Sequence, residues 1–135
     1  MNKKIENGEC FTAKLAYKNE NGKSVAYPDE NGGSRPIVVL KATFQGKEVY
    51  YAHNVTSKVD NFYNKRNGYL VKDFKTAGFN KPSIIKCDAN NSFVIEPSKL
   101  KGPFGKLADS DLESFVDRLN LVRKREIENE NGMER

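Results

Sequence analysis

The stretch RPIVVLKATFQGKEVYYAHNVT, from Arg35 to Thr56, restricts the fold more than any other part of the chain. Val38, Val39 and Leu40 belong in a buried strand. Gln45, Gly46 and Lys47 form a tight turn, so the following residues return as the antiparallel arm of a hairpin. Pro36 has no amide N–H, which restricts it to the first position or the edge of a strand. Gly32 and Gly33 precede it and give the incoming backbone wide conformational freedom. Arg35 is therefore held where a loop becomes a rigid strand. The turn lies about ten residues from Arg35 and about ten from Thr56, and arms of similar length bring those two residues back to one end of the sheet.

Around the hairpin the pattern is one of short strands. Phe11, Ala13, Leu15 and Tyr17 alternate and share one face of a first strand. The stretch from Lys18 to Ser34 is a long polar loop with almost nothing to bury, and Tyr27, beside Pro28, is its exposed aromatic. After Thr56 comes a mixed segment that reads as a short helical turn ending near Gly68. A weak strand follows in GYLVKDF, and better ones in KPSIIKCD and SFVIEP. About five or six short strands with no long helices between them argue for a small, strongly bent sheet or barrel. The confident helix comes last: Leu112, Phe115, Val116, Leu119 and Val122 recur at helical spacing. Ser110 and Glu113 have the spacing of a capping box. Asp109 and Asp111 suit the positive N-terminal end, and Arg123, Lys124 and Arg125 suit the C-terminal end. Past Arg125 nothing is left to bury. The expected organisation is a single domain over residues 1–125 and an acidic, disordered tail over 126–135.

Composition narrows the partners. The chain has 135 residues, enough for one compact core, and a formal net charge of +5. The positive charge gathers between Lys58 and Lys106, a field that attracts polyanions. A solvated lysine-rich face is the plainer reading of the same charge. No apolar run approaches the roughly 18 residues that a membrane span needs, and the N-terminus lacks the hydrophobic core of a signal peptide. A cytoplasmic setting without membrane contact is expected. There, Cys10 and Cys87 read as buried or idle thiols. A phosphate-binding glycine loop is absent. One histidine, His53, and two distant cysteines make a poor metal set, so no metal or cofactor is expected.

Arg35 and Thr56 carry the chemical interest. A guanidinium beside a hydroxyl, next to a long loop on a basic protein, forms an anion site. RNA strand cleavage needs little more, because the substrate's own 2′-OH is the nucleophile. The protein has to orient that hydroxyl and neutralise charge on the phosphorane-like transition state. A surface salt bridge for Arg35 and a turn cap for Thr56 is the plainer alternative, and on these residues alone it stands ahead. Ser57 is the neighbouring hydroxyl. His53 is a possible supporting base, but three residues from Thr56 along an extended strand it falls on the opposite face. It reads better as a satisfied polar residue. Tyr27, Lys58, Lys65, Arg66 and Lys81 are the expected RNA contacts.

Ordered blocks along the chain resemble the MazF/PemK family of toxin endoribonucleases: GECF at the first strand, GGSRPIVVL, HNVTSK, and GFNKPSIIKCD followed by GKLADSDLESFVDRL. Together they cover most of residues 7–122. The resemblance implies a mainly β, α+β fold, a small twisted SH3-like β-barrel with a C-terminal amphipathic helix, assembled as a homodimer. It implies metal-independent, sequence-specific cleavage of single-stranded RNA, such as mRNA, to 2′,3′-cyclic phosphate and 5′-OH ends. The family's catalytic Arg and Thr or Ser fall on Arg35 and Thr56, with Ser57 as the alternative. The implied partner is a cognate antitoxin whose disordered acidic segment fills the RNA groove. The first loop is longer than in the family's shorter forms, and the segment DNFYNKRNGYLVKDFKTAG has no counterpart, so the cleaved sequence does not follow. The runner-up is a non-catalytic toxin or regulator on the same barrel that binds a protein, as gyrase-directed toxins do, or RNA.

Overall fold

The computed structural model describes residues 4–14, 16–18, 24–26 and 34–133. The strands are β1 (Glu9–Lys14), β2 (Ala16–Lys18), β3 (Ser24–Ala26), β4 (Ser34–Phe44), β5 (Lys47–Thr56), β6 (Gly68–Leu70), β7 (Ile84–Lys86), β8 (Ser92–Val94) and β9 (Lys101–Lys106). Two helices join them, α1 (Phe62–Asn67) and α2 (Asp109–Met133). Seven strands form one antiparallel sheet in the order β6-β7-β5-β4-β1-β9, with β8 also paired to β5. β2, at the end of the expected first strand, pairs with β3, which lies inside what the sequence suggested was a plain loop, to form a separate ribbon. Tyr27 and the neighbouring glycines lie outside the described residues. Among the described residues the sheet path ends at β6 and β9 without joining them, so the sheet is open and does not close into the expected barrel. The broader expectation, a mainly β antiparallel fold with a C-terminal helix, describes it.

The hairpin forms as its residues dictate. β4 and β5 pair from Ile37 opposite Asn54 to Phe44 opposite Lys47. The two-residue connection has φ of 52° at Gln45 and 78° at Gly46. Positive φ at both central residues gives the turn whose twist matches that of the flanking strands. The unbroken run in β4 is explained by burial on both faces. Val38, with Cys10 of β1, packs on the α2 side against Ile85, Leu107, Phe115 and Val122. Ile37 and Val39, with Phe11 and Ala13, pack on the other side against Ile5, Ile95 and Leu100. Each fully buried Val, Ile, Leu or Phe among them contributes roughly 1.5–3 kcal/mol by leaving water.

β9 has no counterpart in the sequence expectation. Its residues KGPFGK are poor strand formers, yet it closes the edge of β1. Gly105 explains its position: a Cβ there would stand 2.1 Å from the Ala77 carbonyl oxygen, so only glycine lets the turn before Phe79 lie against the strand.

Phe115 and Val122 of α2 are buried, with Leu112 and Leu119 packed beside them. The helix starts at Asp109, and the Leu112 N–H donates to the Ala108 carbonyl. Ser110 is thus already inside the first turn, and the Ser110–Glu113 pair is not a capping box. The helix also runs past Arg125 to Met133, through part of the expected disordered tail. Glu126 begins that extension by accepting from the Ala89 N–H and pairing with Arg123 at 3.6 Å. Asp111 is not a surface partner for the helix dipole. It is 1% exposed and accepts from the Tyr69 hydroxyl and from the Lys72 and Asp73 amides. Burial alone would raise its pKa, but the hydrogen bonds from Tyr69, Asp73 and Lys72 outweigh that and hold it below the ordinary value. No described helix is long and apolar enough to cross a membrane.

Candidate active site at the open end of the hairpin

The free ends of β4 and β5 meet at a groove of about 590 Å³. Arg35, Thr56, Ser57, Lys58 and Lys81 all line it. Arg35 sits opposite Ala13 in the β1–β4 ladder, and Thr56 sits opposite Ile84 in the β5–β7 ladder. Both are thus carried on paired strands, which fixes their Cα positions. The β4–β5 ladder, paired as far as Ile37 and Asn54, sets Arg35 and Thr56 opposite one another when its register is extended to the strand ends. Arg35, Lys58 and Lys81 supply positive charge, and among the described residues none that lines the groove is acidic.

Thr56 is tied into the turn that follows it. Its Oγ1 accepts from the Lys58 N–H at 3.1 Å and caps the turn that ends β5. The plainer sequence reading of Thr56 therefore holds as far as it goes. The hydroxyl proton takes no part in that bond, so a threonine here can cap the turn and still donate into the groove. The turn is braced from below: Asn64 Nδ2 of α1 donates to the Lys58 carbonyl at 3.0 Å, while Asn61 Oδ1 caps α1 at the Asn64 N–H.

The opposite wall comes from the chain after β6. Gly78, Phe79, Asn80, Lys81 and Ser83 line it. Asp73 holds this segment by accepting from Thr76, and Ser83 accepts the Val71 N–H through its carbonyl. Asp111 binds the Lys72 and Asp73 amides and so ties the wall to α2. Phe104 of β9 completes the groove, its ring edge-on to Phe79 at 5.7 Å. Sequence reasoning missed Asn80, Ser83 and Phe104. The KPS triplet was visible, but nothing local announced which side chains would turn towards Arg35.

His53 is elsewhere. It is 3% exposed, pairs across the sheet with Val38, and lies edge-on to Phe115 at 5.3 Å under α2. Its Nδ1 shares a 2.9 Å hydrogen bond with Ser92 Oγ, while Nε2 is buried without a partner. It is therefore half satisfied. Burial, and secondarily the charge of Arg123, lower its pKa from 6.5 to about 4. It does not reach the groove. Lys65 and Arg66 do not line this groove either; they line a neighbouring one with Arg118 and Leu121. Cys10 and Cys87 are both buried and unpaired, and burial raises each thiol to about 12, so neither is a nucleophile. Among the described residues no group of three or more His, Cys, Asp or Glu side chains gathers.

No protein-family model matches this chain, and no curated protein matches it.

Proposed function

We propose that this chain is an endoribonuclease that cuts single-stranded RNA without a metal, the toxin half of a toxin–antitoxin pair of the MazF/PemK kind. Its open sheet is read as a variant of that family's SH3-like barrel. The observation that carries the reading is the convergence of Arg35, Thr56, Lys58 and Lys81 on one groove, whose described lining residues include no acidic one. An RNA phosphate is drawn to that field. The 2′-OH attacks phosphorus, the bond to the 5′-oxygen breaks, and the products are a 2′,3′-cyclic phosphate and a 5′-OH. The proton lost from the 2′-OH leaves to water, and the 5′-oxygen gains one. Arg35 offsets the charge growing on the non-bridging oxygens, and Thr56 orients the 2′-OH. With no imidazole or carboxylate among the described residues that line the groove, charge stabilisation has the larger share of the catalysis. Phe104 offers a ring to a neighbouring base.

A homodimer belongs to the same reading. Tyr51, opposite both Leu40 and Val94, lies on the sheet face that carries Val38 and His53. Tyr51 is 38% exposed, Val94 61% and Phe44 63%, an apolar strip that α2 leaves uncovered. A second copy would cover it. A cytoplasmic antitoxin with an acidic segment would compete with RNA for the cationic groove.

The test is incubation of a long single-stranded RNA with the purified protein in EDTA. Discrete bands with cyclic phosphate ends are expected. Arg35→Ala should lower the rate by two to four orders of magnitude, about 3–5 kcal/mol of lost transition-state stabilisation. Intact RNA, or equal rates for the two proteins, would overturn the proposal; RNA bound but never cut would favour the non-catalytic binder.

A further inference from the structure

A second groove, of about 580 Å³, lies along α1 and is lined by Phe62, Lys65, Arg66, Arg118, Leu121 and Arg125. Every polar side chain in that set is a cation. Phe62, Lys65 and Arg66 are spaced to share one face of α1. The helix buries none of its residues, and Phe62 is 78% exposed. A phenylalanine left in water forgoes the gain that burial would bring. The platform under it is nonetheless firmly held. Arg118 Nε donates to the Gly68 carbonyl and its Nη2 to that of Lys65, each at 3.0 Å, and Arg125 Nη2 donates to the Arg66 carbonyl at 3.0 Å. On the side of α1 away from Phe62, Asn64 is bonded to Lys58, which lines the first groove. The two grooves are therefore separated by one short helix, roughly 10 Å across.

We propose that this face is a second RNA contact, in which the strand leaving the Arg35–Thr56 groove crosses α1, stacks an unpaired base on Phe62 and sets its phosphates against Lys65 and Arg66. The inference rests on the first groove being an RNA site. A rigidly mounted ring flanked by cations suits single-stranded nucleic acid. An amphipathic peptide helix would want a row of apolar anchors, and this groove offers Phe62 and Leu121 alone.

The experiment uses fluorescence anisotropy on the full chain with two RNAs that carry a 2′-deoxy residue at the mapped cut site. One spans only the cut; the other extends several nucleotides to either side. Phe62→Ala should weaken the longer RNA about tenfold and leave the shorter one unchanged, and Phe62→Tyr should restore binding. The double variant Lys65→Ala/Arg66→Ala should flatten the salt dependence of the longer RNA by about 1.4 log units per log salt, roughly 0.7 for each phosphate. Equal effects on both RNAs, or none, overturn the second contact. If the parent protein cuts RNA yet binds both lengths equally, the second contact fails while the first groove stands. If it binds neither RNA, both fall. If Phe62→Ala leaves RNA binding intact but abolishes binding of a glutamate- and leucine-rich helical peptide, the face belongs to a protein and the proposal is overturned.

Discussion

Thr56→Val separates the turn cap that Thr56 provides from the catalytic role proposed for it. The substitution keeps the side chain's shape at the last paired position of β5, opposite Ile84, and removes the hydroxyl. Structurally, one hydrogen bond is lost, the 3.1 Å bond from the Lys58 N–H. That amide lies in an exposed turn where water replaces the lost acceptor, so the cost is about 0.5–1 kcal/mol. Chemically, the proposed reaction would lose a donor that orients the 2′-OH in the transition state, and comparable deletions cost about 2.7–4 kcal/mol, or 10²–10³ in rate. The two magnitudes are far enough apart to measure. Thr56→Val is expected to unfold in urea within about 1 kcal/mol of the parent and to cut a fluorogenic RNA about a hundred to a thousand times more slowly. Thr56→Ser keeps both the cap and the donor and should keep much of the rate. Parent-like cleavage by Thr56→Val would refute the assignment. If Ser57→Ala is the damaging change and Thr56→Val is silent, the catalytic hydroxyl is Ser57.

Asp111→Ala orphans the Tyr69 hydroxyl and the Lys72 and Asp73 amides, so urea unfolding at pH 7 should show a loss of about 3–5 kcal/mol. The Asp111 carboxyl has a lowered pKa in the folded protein, so its contribution is present above about pH 4 and is lost as pH falls through the folded value; the gap between parent and variant should close there. His53, lowered from 6.5 to about 4, works in a higher window: stability is full above pH 6.5 and falls by about 3 kcal/mol as pH drops to 4, because the unfolded chain binds the proton first. His53→Phe should remove most of that slope between pH 6.5 and 4.5 in the same unfolding experiment, and an unchanged slope would assign it to other groups. Val94→Asp places a charge on a residue that is 61% exposed, so it should spare the fold and convert a dimer to a monomer by light scattering; an unchanged mass would remove the apolar strip from any interface.

The readable parts of the fold were those fixed by local chemistry. The β4–β5 hairpin follows from an apolar run and a Gln-Gly turn, and the α2 core face follows from helical spacing at Phe115 and Val122. What stayed hidden was decided by distant neighbours. β9 is a strand because Gly105 fits against Ala77 and β1 needs an edge partner, although its own residues argue against it. β7 and β8 lie along one edge of β5 with the turn Ala89–Asn91 inserted between them, a break in register that no alternation pattern shows. Asp111 has the sequence signature of a dipole partner, and its real partners are some forty residues away in the chain. At the start of the α2 extension beyond Arg125, Glu126 is bonded to the distant Ala89 amide.

The same distinction accounts for the site. Arg35 and Thr56 were visible because a hairpin has a symmetry that sequence can count: equal arms return to one end. Lys81, Ser83 and Phe104 reach the groove by other routes, through a segment tied to α2 by Asp111 and an edge strand admitted by Gly105. The groove thus joins the hairpin ends to the segment from Gly78 to Ser83 and to β9, each held by a different anchor. That arrangement suits a catalyst with no strong base among the described residues of its groove. If charge stabilisation supplies most of the rate, the cations have to be in place before the substrate arrives, since reorienting them during the reaction would consume the advantage. Side chains on paired strands and hydrogen-bonded turns meet that requirement better than side chains on an unsupported loop. Loosening the wall at Asp111 should therefore slow cleavage more than it weakens RNA binding. A substitution at Asp111 that preserves the fold and raises KM alone would instead make the wall a binding surface with no part in the chemical step.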